Sequence, residues 1–123
     1  MDSQIKKGLI DICVLAVLTK GDSYGWQIIK DLENIITISE STLYPVLKRL
    51  ETGGQIKSYE VPHNGRLRKY FKILGSGLDK LQGFEQDQKT LMRIYSFVQS
   101  ATQKKEENND KAEISGQSEE TDE

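Results

Sequence analysis

The stretch Ser39–Leu50, S-E-S-T-L-Y-P-V-L-K-R-L, predicts an amphipathic helix. Its apolar residues recur at i, i+3, i+4 and i+7, so one stripe faces a core (Leu43, Val46, Leu47 and Leu50). The opposite face begins with hydroxyl groups and ends with two cations: Ser41, Thr42, Tyr44, Lys48 and Arg49. A helix that enters the major groove of DNA needs such a face. An ordinary solvated polar face has the same composition, so the segment alone leaves both interpretations open.

The start of this helix can be placed in two ways. With Ser39 as N-cap, Ile38 can form a hydrophobic staple with the first turns. That start leaves Pro45 beyond the first turn, where a proline removes a backbone hydrogen bond and usually kinks a helix. A start at Ser41 eases this problem but loses the staple. Gly53-Gly54 ends the helix in either case.

Downstream, Ile56 to Val61 and Arg66 to Ile73 are predicted to be two strands. Asn64-Gly65 is a strong signal for a two-residue hairpin turn, because both residues tolerate positive φ. Three cations cluster near the tip, namely Arg66, Arg68 and Lys69. Such a tip suits phosphates or the minor groove, although charge also protects an ordinary edge strand from aggregation. His63, the only histidine, lies in this turn and indicates no metal or catalytic site.

Two helices are predicted upstream. The first runs from about Ser3 to Lys20 and is apolar on two stripes, so it must be covered from two directions. A partner subunit can supply the second cover, or the helix can be the centre of the chain's own core. The second helix, roughly Tyr24 to Glu33, can be capped by Asp22 or Ser23.

A long last helix is predicted after Gly75-Ser76-Gly77, with Ser76 as the candidate cap, and runs to at least Val98. It carries an a/d pattern of alternating threes and fours: Leu81, Phe84, Gln88, Leu91, Tyr95 and Val98. This pattern is too short for a free-standing coiled coil. It favours packing against another helix, most simply the same helix of a second subunit, and Gln88 interrupts the apolar seam.

The charge of the chain is unevenly distributed. The 123 residues carry a net charge of −2, but residues 1–98 hold 14 Lys and Arg against 11 Asp and Glu. Residues 40–72 hold seven cations and three acids, which suits an anionic partner. Residues 99–123 hold 3 cations against 8 acids, and a disordered acidic tail is predicted from residue 104 to 123.

Several classes of protein are disfavoured. The apolar run Leu9–Leu18 is too short for a membrane span and contains Asp11, and no signal-peptide cleavage site follows it, so a cytoplasmic protein is expected. The single cysteine, Cys13, excludes an intramolecular disulfide. One histidine, no paired carboxylates and no phosphate-binding glycine loop argue against an enzyme, and no metal or cofactor is expected.

Four motifs together resemble the PadR family of transcriptional regulators. They are K-K-G-L-I-D-I-C-V-L-A-V-L, Y-G-W-Q-I-I-K, S-E-S-T-L-Y-P-V-L-K-R-L-E and G-R-L-R-K-Y-F-K-I, spread over about residues 5–80. The resemblance implies a mainly α (α+β) fold. It divides the chain into a winged helix-turn-helix domain (1–75), a dimerisation helix (76–103) and the tail. Two departures are Ile73-Leu74-Gly75-Ser76-Gly77 where the family commonly has L-T-x-x-G, and Gln88 near the position of a drug-stacking aromatic residue in one branch, so drug sensing is not supported.

The resemblance also implies a function. It predicts a homodimeric repressor that binds a double-stranded DNA operator and can respond to a small-molecule effector. The residues expected at DNA are Tyr24, Ser39, Ser41, Thr42, Tyr44, Lys48, Arg49, Asn64, Arg66, Arg68 and Lys69. Those expected at the dimer interface are Ile10, Val14, Leu18, Leu81, Phe84, Gln88, Leu91, Tyr95 and Val98. The alternative is a winged-helix module that binds an acidic protein partner.

Overall fold

The computed structural model describes the backbone of residues 3–115 and the side chains of residues 6–105. Over this range the elements are α1 (Ser3–Leu18), β1 (Ser23–Tyr24), α2 (Gly25–Leu32), α3 (Glu40–Thr52), β2 (Ile56–His63), β3 (Arg66–Ile73) and α4 (Gly75–Ser115). The strands form one antiparallel sheet in the order β1-β3-β2. The predicted winged helix-turn-helix fold with a C-terminal helix is confirmed.

Helix α1 is the centre of the core. Ile10, Val14 and Leu18 are each 2% exposed or less, and they pack with Leu15 and with apolar residues of α2, α3 and the sheet. Their assignment to a dimer interface is therefore wrong, because the single chain already covers them. The other possibility, that α1 lies at the centre of the chain's own core, is correct for these three residues.

The chain enters α2 through a strand and not through a side-chain cap. Tyr24 has extended φ and ψ angles of −127° and 166°, occupies the N-cap position and makes no side-chain cap hydrogen bond. Ser23 and Tyr24 instead pair with Phe71 and Tyr70 of β3. The predicted caps, Asp22 and Ser23, are wrong because this pairing holds the two residues extended and starts α2 at Gly25.

Helix α3 starts at Ser39, the first of the two predicted alternatives. The Ser39 Oγ accepts a hydrogen bond from the backbone N–H of Thr42 at 3.3 Å. Pro45 lies inside the helix on its exposed side, where water can reach the Ser41 carbonyl that loses its helical donor. The buried stripe is the predicted one, and the helix ends at Gly53, followed by Gly54 at φ +77°.

The hairpin has the predicted turn. Asn64 and Gly65 have φ angles of +52° and +78°, and His63 pairs with Arg66 across the turn. Both strands are eight residues long, so β2 continues two residues past the predicted end at Val61. This two-residue turn sets the register of every pair between β2 and β3.

Helix α4 begins at Gly75, where the Leu74 carbonyl accepts hydrogen bonds from the amides of Gly77 and Leu78 at 2.9 and 3.1 Å. Ser76 therefore lies within the first turn, and its prediction as the N-cap is wrong. Gly77 is required by a close approach: a Cβ there would lie 2.5 Å from the Gln55 carbonyl oxygen. The start of α4 thus packs directly on the backbone that leads into β2.

The backbone of α4 is helical to Ser115, so the tail predicted to begin at residue 104 is helical over its first part. Residues 103–107 are Gln, Lys, Lys, Glu and Glu, all of which have high helix propensity. The rest of the predicted tail, residues 116–123, lies outside the described residues. The chain forms two compact units that divide between Glu85 and Gln86. Over residues 3–115, no helix is both long and apolar enough to cross a membrane.

Two glycines of α4 make a matched pair. We expect Gly77→Ala to destabilise the fold by about 1–3 kcal/mol, because the new methyl group meets backbone that cannot move aside. Gly83→Ala introduces a methyl group with nothing within 4 Å, and we expect it to stabilise by about 0.5–1 kcal/mol. Urea unfolding followed by circular dichroism measures both. Equal effects of the two substitutions would contradict the close approach at Gly77.

Candidate nucleic-acid interface

A cleft of about 430 Å³ lies between the start of α2, the outer face of α3 and strand β3. Its lining residues are Tyr24, Gly25, Tyr44, Leu47, Lys48, Glu51, Arg68, Lys69 and Phe71. Three of these are cations and two are tyrosines, contributed by segments that are distant in sequence. The fold thereby brings the predicted polar face of α3 and the charged hairpin to one surface.

Hydroxyl groups form a small cluster at the start of α3. The Ser39 Oγ lies 2.9 Å from the Ser41 Oγ and donates to the Thr42 Oγ1 at 3.2 Å. Ser41 and Thr42 are exposed, so their hydroxyl groups remain accessible from solvent. Ser39 already serves as the helix cap and thereby fixes the first turn of α3. The backbone amides of that turn favour an anion.

Tyr44 leans across the start of α2. A Cβ placed on Gly25 would lie 2.7 Å from the Tyr44 hydroxyl oxygen and 3.2 Å from the ring carbon that carries it. The absence of a side chain at Gly25 therefore makes room for the end of the Tyr44 ring. The tyrosine is still 48% exposed, so one side of the ring is held by α2 while the other faces solvent.

The hairpin contributes cations in different settings. The Arg68 guanidinium carbon lies 4.0 Å from the centroid of the Tyr24 ring, within cation–π distance. The Lys69 Nζ lies 5.7 Å from the Phe71 ring centroid. Arg66 is exposed nearer the tip, where it lines a second cleft with Asn64. Arg68 is thus the most constrained of these cations, and Arg66 the most open.

The sequence profile of the transcriptional regulator PadR-like family matches residues 14–83, more than half of the chain. The chain belongs to this family. The predicted resemblance is therefore confirmed. PadR-like proteins are DNA-binding transcriptional regulators and not enzymes, as predicted for this chain.

Solved structures of PadR-like proteins agree with this assignment. A transcriptional regulator from Clostridium thermocellum is 34% identical with a TM-score of 0.67, and the match covers 80% of this chain and 98% of that one. A PadR-like transcription factor from Bacteroides fragilis is 33% identical with a TM-score of 0.71, covering 78% and 95%. PadR of Bacillus subtilis, solved in complex with operator DNA, is 22% identical with a TM-score of 0.59, covers 62% and 46%, and shows a shared fold.

One cation expected at DNA in this PadR-like chain is engaged elsewhere. The Arg49 Nη2 donates to the Asp11 Oδ1 at 2.5 Å, and the Lys80 Nζ lies 3.5 Å from the Asp11 Oδ2. Asp11 is only 6% exposed, so its carboxylate needs these partners. The guanidinium of Arg49 joins α3 to α1 while its side chain stays 48% exposed, so the contact of Arg49 with DNA stays a prediction. The α3 cation that lines the cleft is Lys48.

Sequence reasoning missed several residues of this surface. Asp22 accepts a hydrogen bond from the Tyr59 hydroxyl at 2.5 Å, and this bond, with smaller contributions from desolvation and nearby charges, raises the pKa of Tyr59. Tyr59 in turn faces Tyr70 across the hairpin. A signal for that pair was available, because a two-residue turn at Asn64-Gly65 aligns these two tyrosines. No comparable signal identified the partners of Asp22.

Substitutions of Arg49, which is in an ion pair, and of Lys48, which lines the cleft, should differ in their effect on stability. Arg49→Met leaves a buried carboxylate with Lys80 as its remaining cation, and we expect a loss of about 1–3 kcal/mol, less than for a fully buried pair because the guanidinium is half exposed. Lys48→Met should change stability by no more than about 0.5 kcal/mol. Thermal and urea unfolding compare the two, and equal stabilities would contradict the structural role of Arg49.

Proposed function

We propose that this chain is a homodimeric, sequence-specific DNA-binding repressor. In this proposal α3 enters the major groove, with Ser41, Thr42 and Tyr44 facing base edges, and Lys48 binding the flanking backbone. The hairpin serves as the wing and contacts phosphates or the minor groove. The observation that carries the proposal is the single cleft shared by Tyr24, the outer face of α3 and the cations of β3.

The distribution of charge supports an anionic partner at this surface. Arg49 pairs with Asp11, yet Lys48, Arg68 and Lys69 still line the cleft, with Glu51 as the only acid among the lining residues. Arg66 and Asn64 extend the surface toward the hairpin tip. A stripe of cations next to hydroxyl groups on a helix start is the arrangement that phosphate contacts and base contacts require together.

The Bacillus subtilis PadR structure, a complex with operator DNA, supports the same class of partner. At 22% identity this likeness establishes a shared fold, so the operator sequence and the contacted bases have to be determined for this chain itself. We propose that occupancy of the operator represses transcription, and that an effector would act by binding the free and DNA-bound states differently.

The second half of α4 supports a homodimer. Six apolar side chains there are between 47% and 74% exposed in the single chain: Leu91, Met92, Ile94, Tyr95, Phe97 and Val98. A contiguous apolar surface of this kind marks an interaction site. Three of the predicted seam residues are among them, and Gln88 lies exposed one turn before. Leu81 and Phe84, the first two seam residues, are half-buried in the winged unit.

The function is tested by a mobility shift with the DNA upstream of the chain's own gene against random duplex DNA, across a series of salt concentrations. We expect preferential binding to the native region, with a log–log salt slope of about −0.9 for each phosphate contacted. Equal affinity for both DNAs would refute the specific regulator. Salt-independent binding, or none to duplex DNA, would favour the alternative of an acidic protein partner.

The space above Gly25 provides a sharper test of Tyr44. We expect Gly25→Ala to leave stability nearly unchanged, because the new methyl group meets the end of the Tyr44 ring and this half-exposed side chain can turn toward solvent. It should lower operator preference over random DNA by roughly 10-fold, as Tyr44→Ala should. In a Tyr44→Ala background the Gly25→Ala change should have no further effect. Additive losses in the double variant would show that Gly25 does not act through Tyr44.

Self-association is tested by sedimentation equilibrium of the intact chain. We expect the mass of a dimer at micromolar concentrations, and a monomer for Tyr95→Glu, since a charge on the exposed apolar surface opposes its burial. Gln88→Glu, at a position that already interrupts the apolar seam, is the matched control and should weaken association less. A monomeric parent chain would contradict the dimer.

A further inference from the structure

Three tyrosines form one row across the solvent side of the sheet. Tyr24 of β1 pairs with Tyr70 of β3, which pairs with Tyr59 of β2. The Tyr24 and Tyr70 ring centroids are 5.3 Å apart at an interplanar angle of 61°, and those of Tyr70 and Tyr59 are 5.8 Å apart at 16°. The rings therefore contact one another in sequence from edge strand to edge strand, and we call this row the tyrosine ladder.

Each end of the tyrosine ladder is held by a charged side chain. At one end the Arg68 guanidinium lies 4.0 Å above the Tyr24 ring. At the other end the Tyr59 hydroxyl donates to Asp22, whose second carboxylate oxygen is 4.0 Å from the Lys72 Nζ. Because Asp22 immediately precedes β1, this hydrogen bond ties the entry of the strand that carries Tyr24 to the opposite edge of the sheet.

Core formation does not account for this arrangement. The buried core takes Ile56 and Phe71 from the hairpin, while the three ladder tyrosines lie outside it and Tyr59 is exposed. Side chains on the solvent side of a sheet ordinarily keep much of their rotamer freedom. Here a carboxylate, three rings and a guanidinium are held in one order, and the last member faces the cleft beside α3.

The fixed arrangement of these side chains favours phosphate binding by the Arg68 guanidinium. Arginine binds phosphate through a planar fork of N–H groups, and a fork fixed in advance loses less entropy when it binds. Arg68 contacts the Tyr24 ring and also lines the cleft. Lys48 and Lys69 line the same cleft. A phosphate entering the cleft would meet an arginine that is already oriented.

We propose that Tyr70, Tyr59 and Asp22 are positioning residues that hold Tyr24 and Arg68 as a pre-formed phosphate-binding unit of the DNA interface. The proposal rests on the proposed function and names the contact through which the wing binds the DNA backbone. It assigns to Tyr70 and Tyr59 no contact with DNA. Their effect passes through the Tyr24 ring to the guanidinium.

The test uses the intact chain and measures the salt dependence of binding to its upstream DNA and to random duplex. Arg68→Met removes the guanidinium and should reduce the steepness of the log–log slope by about 0.9 for each phosphate that Arg68 neutralises in the parent chain. Tyr70→Thr keeps a strand-forming residue but removes the ring. Because the Arg68 charge remains, this variant should keep the parent slope while its affinity falls by the same factor for both DNAs, a factor no larger than the loss in Arg68→Met. Tyr70→Phe keeps the ring and should restore the parent affinity.

The double variant Tyr70→Thr with Arg68→Met should bind no more weakly than Arg68→Met alone. Parent affinity for Tyr70→Thr beside weakened binding by Arg68→Met would overturn the ladder proposal and leave the proposed function intact. Absence of salt-dependent DNA binding by the parent chain would overturn both. If Tyr70→Thr does not fold, Tyr59→Thr on the edge strand replaces it with the same expected loss of affinity for both DNAs, and parent affinity there overturns the ladder proposal.

Discussion

The buried carboxylate of Asp11 is the constraint on which the arrangement of the helices depends. It lies on the central helix α1, and it is held by Arg49 of α3 and Lys80 of α4. A carboxylate that is 6% exposed must keep such partners, because its desolvation would otherwise be uncompensated. The orientation of α3 on α1 is therefore set by a charge as well as by the apolar stripe of Leu43, Leu47 and their neighbours.

With α3 held in this way, its outer face and the sheet enclose one cleft. The glycine at the start of α2 admits Tyr44, and the pairing of β1 with β3 brings Tyr24 beneath Arg68. These contacts divide the cations of residues 40–72 into three groups. Arg49 and Lys72 are paired with Asp11 and Asp22, whereas Lys48, Arg68 and Lys69 face the cleft. Lys57 and Arg66 do not line this cleft. The surface available to DNA is consequently smaller and better ordered than the count of basic residues suggests.

Local signals in the sequence predicted the helices and the two long strands well. Contacts between residues that are distant in the sequence could not be predicted from it. The apolar stripe of α3 and the Asn64-Gly65 turn depend on neighbours within a few residues, and both were confirmed. The Ser39 cap is one of the two helix starts that the sequence left open. Strand β1 has two residues, too few for any periodicity. The partner of Arg49 lies 38 residues away, so periodicity alone predicted a free cation. For the same reason Ile10, Val14 and Leu18 were assigned to a partner subunit, although the chain itself buries them.

In the proposed complex, two copies of α3 bind two half-sites of one operator. Hydroxyl-radical footprinting of the intact chain on the DNA upstream of its own gene tests this most directly. We expect two protected patches related by a dyad, with centres about 34–36 Å apart or a multiple of that distance, and weaker protection outside them where the wings meet the backbone. Uniform protection without a dyad, or a single patch, would contradict the dimeric operator complex.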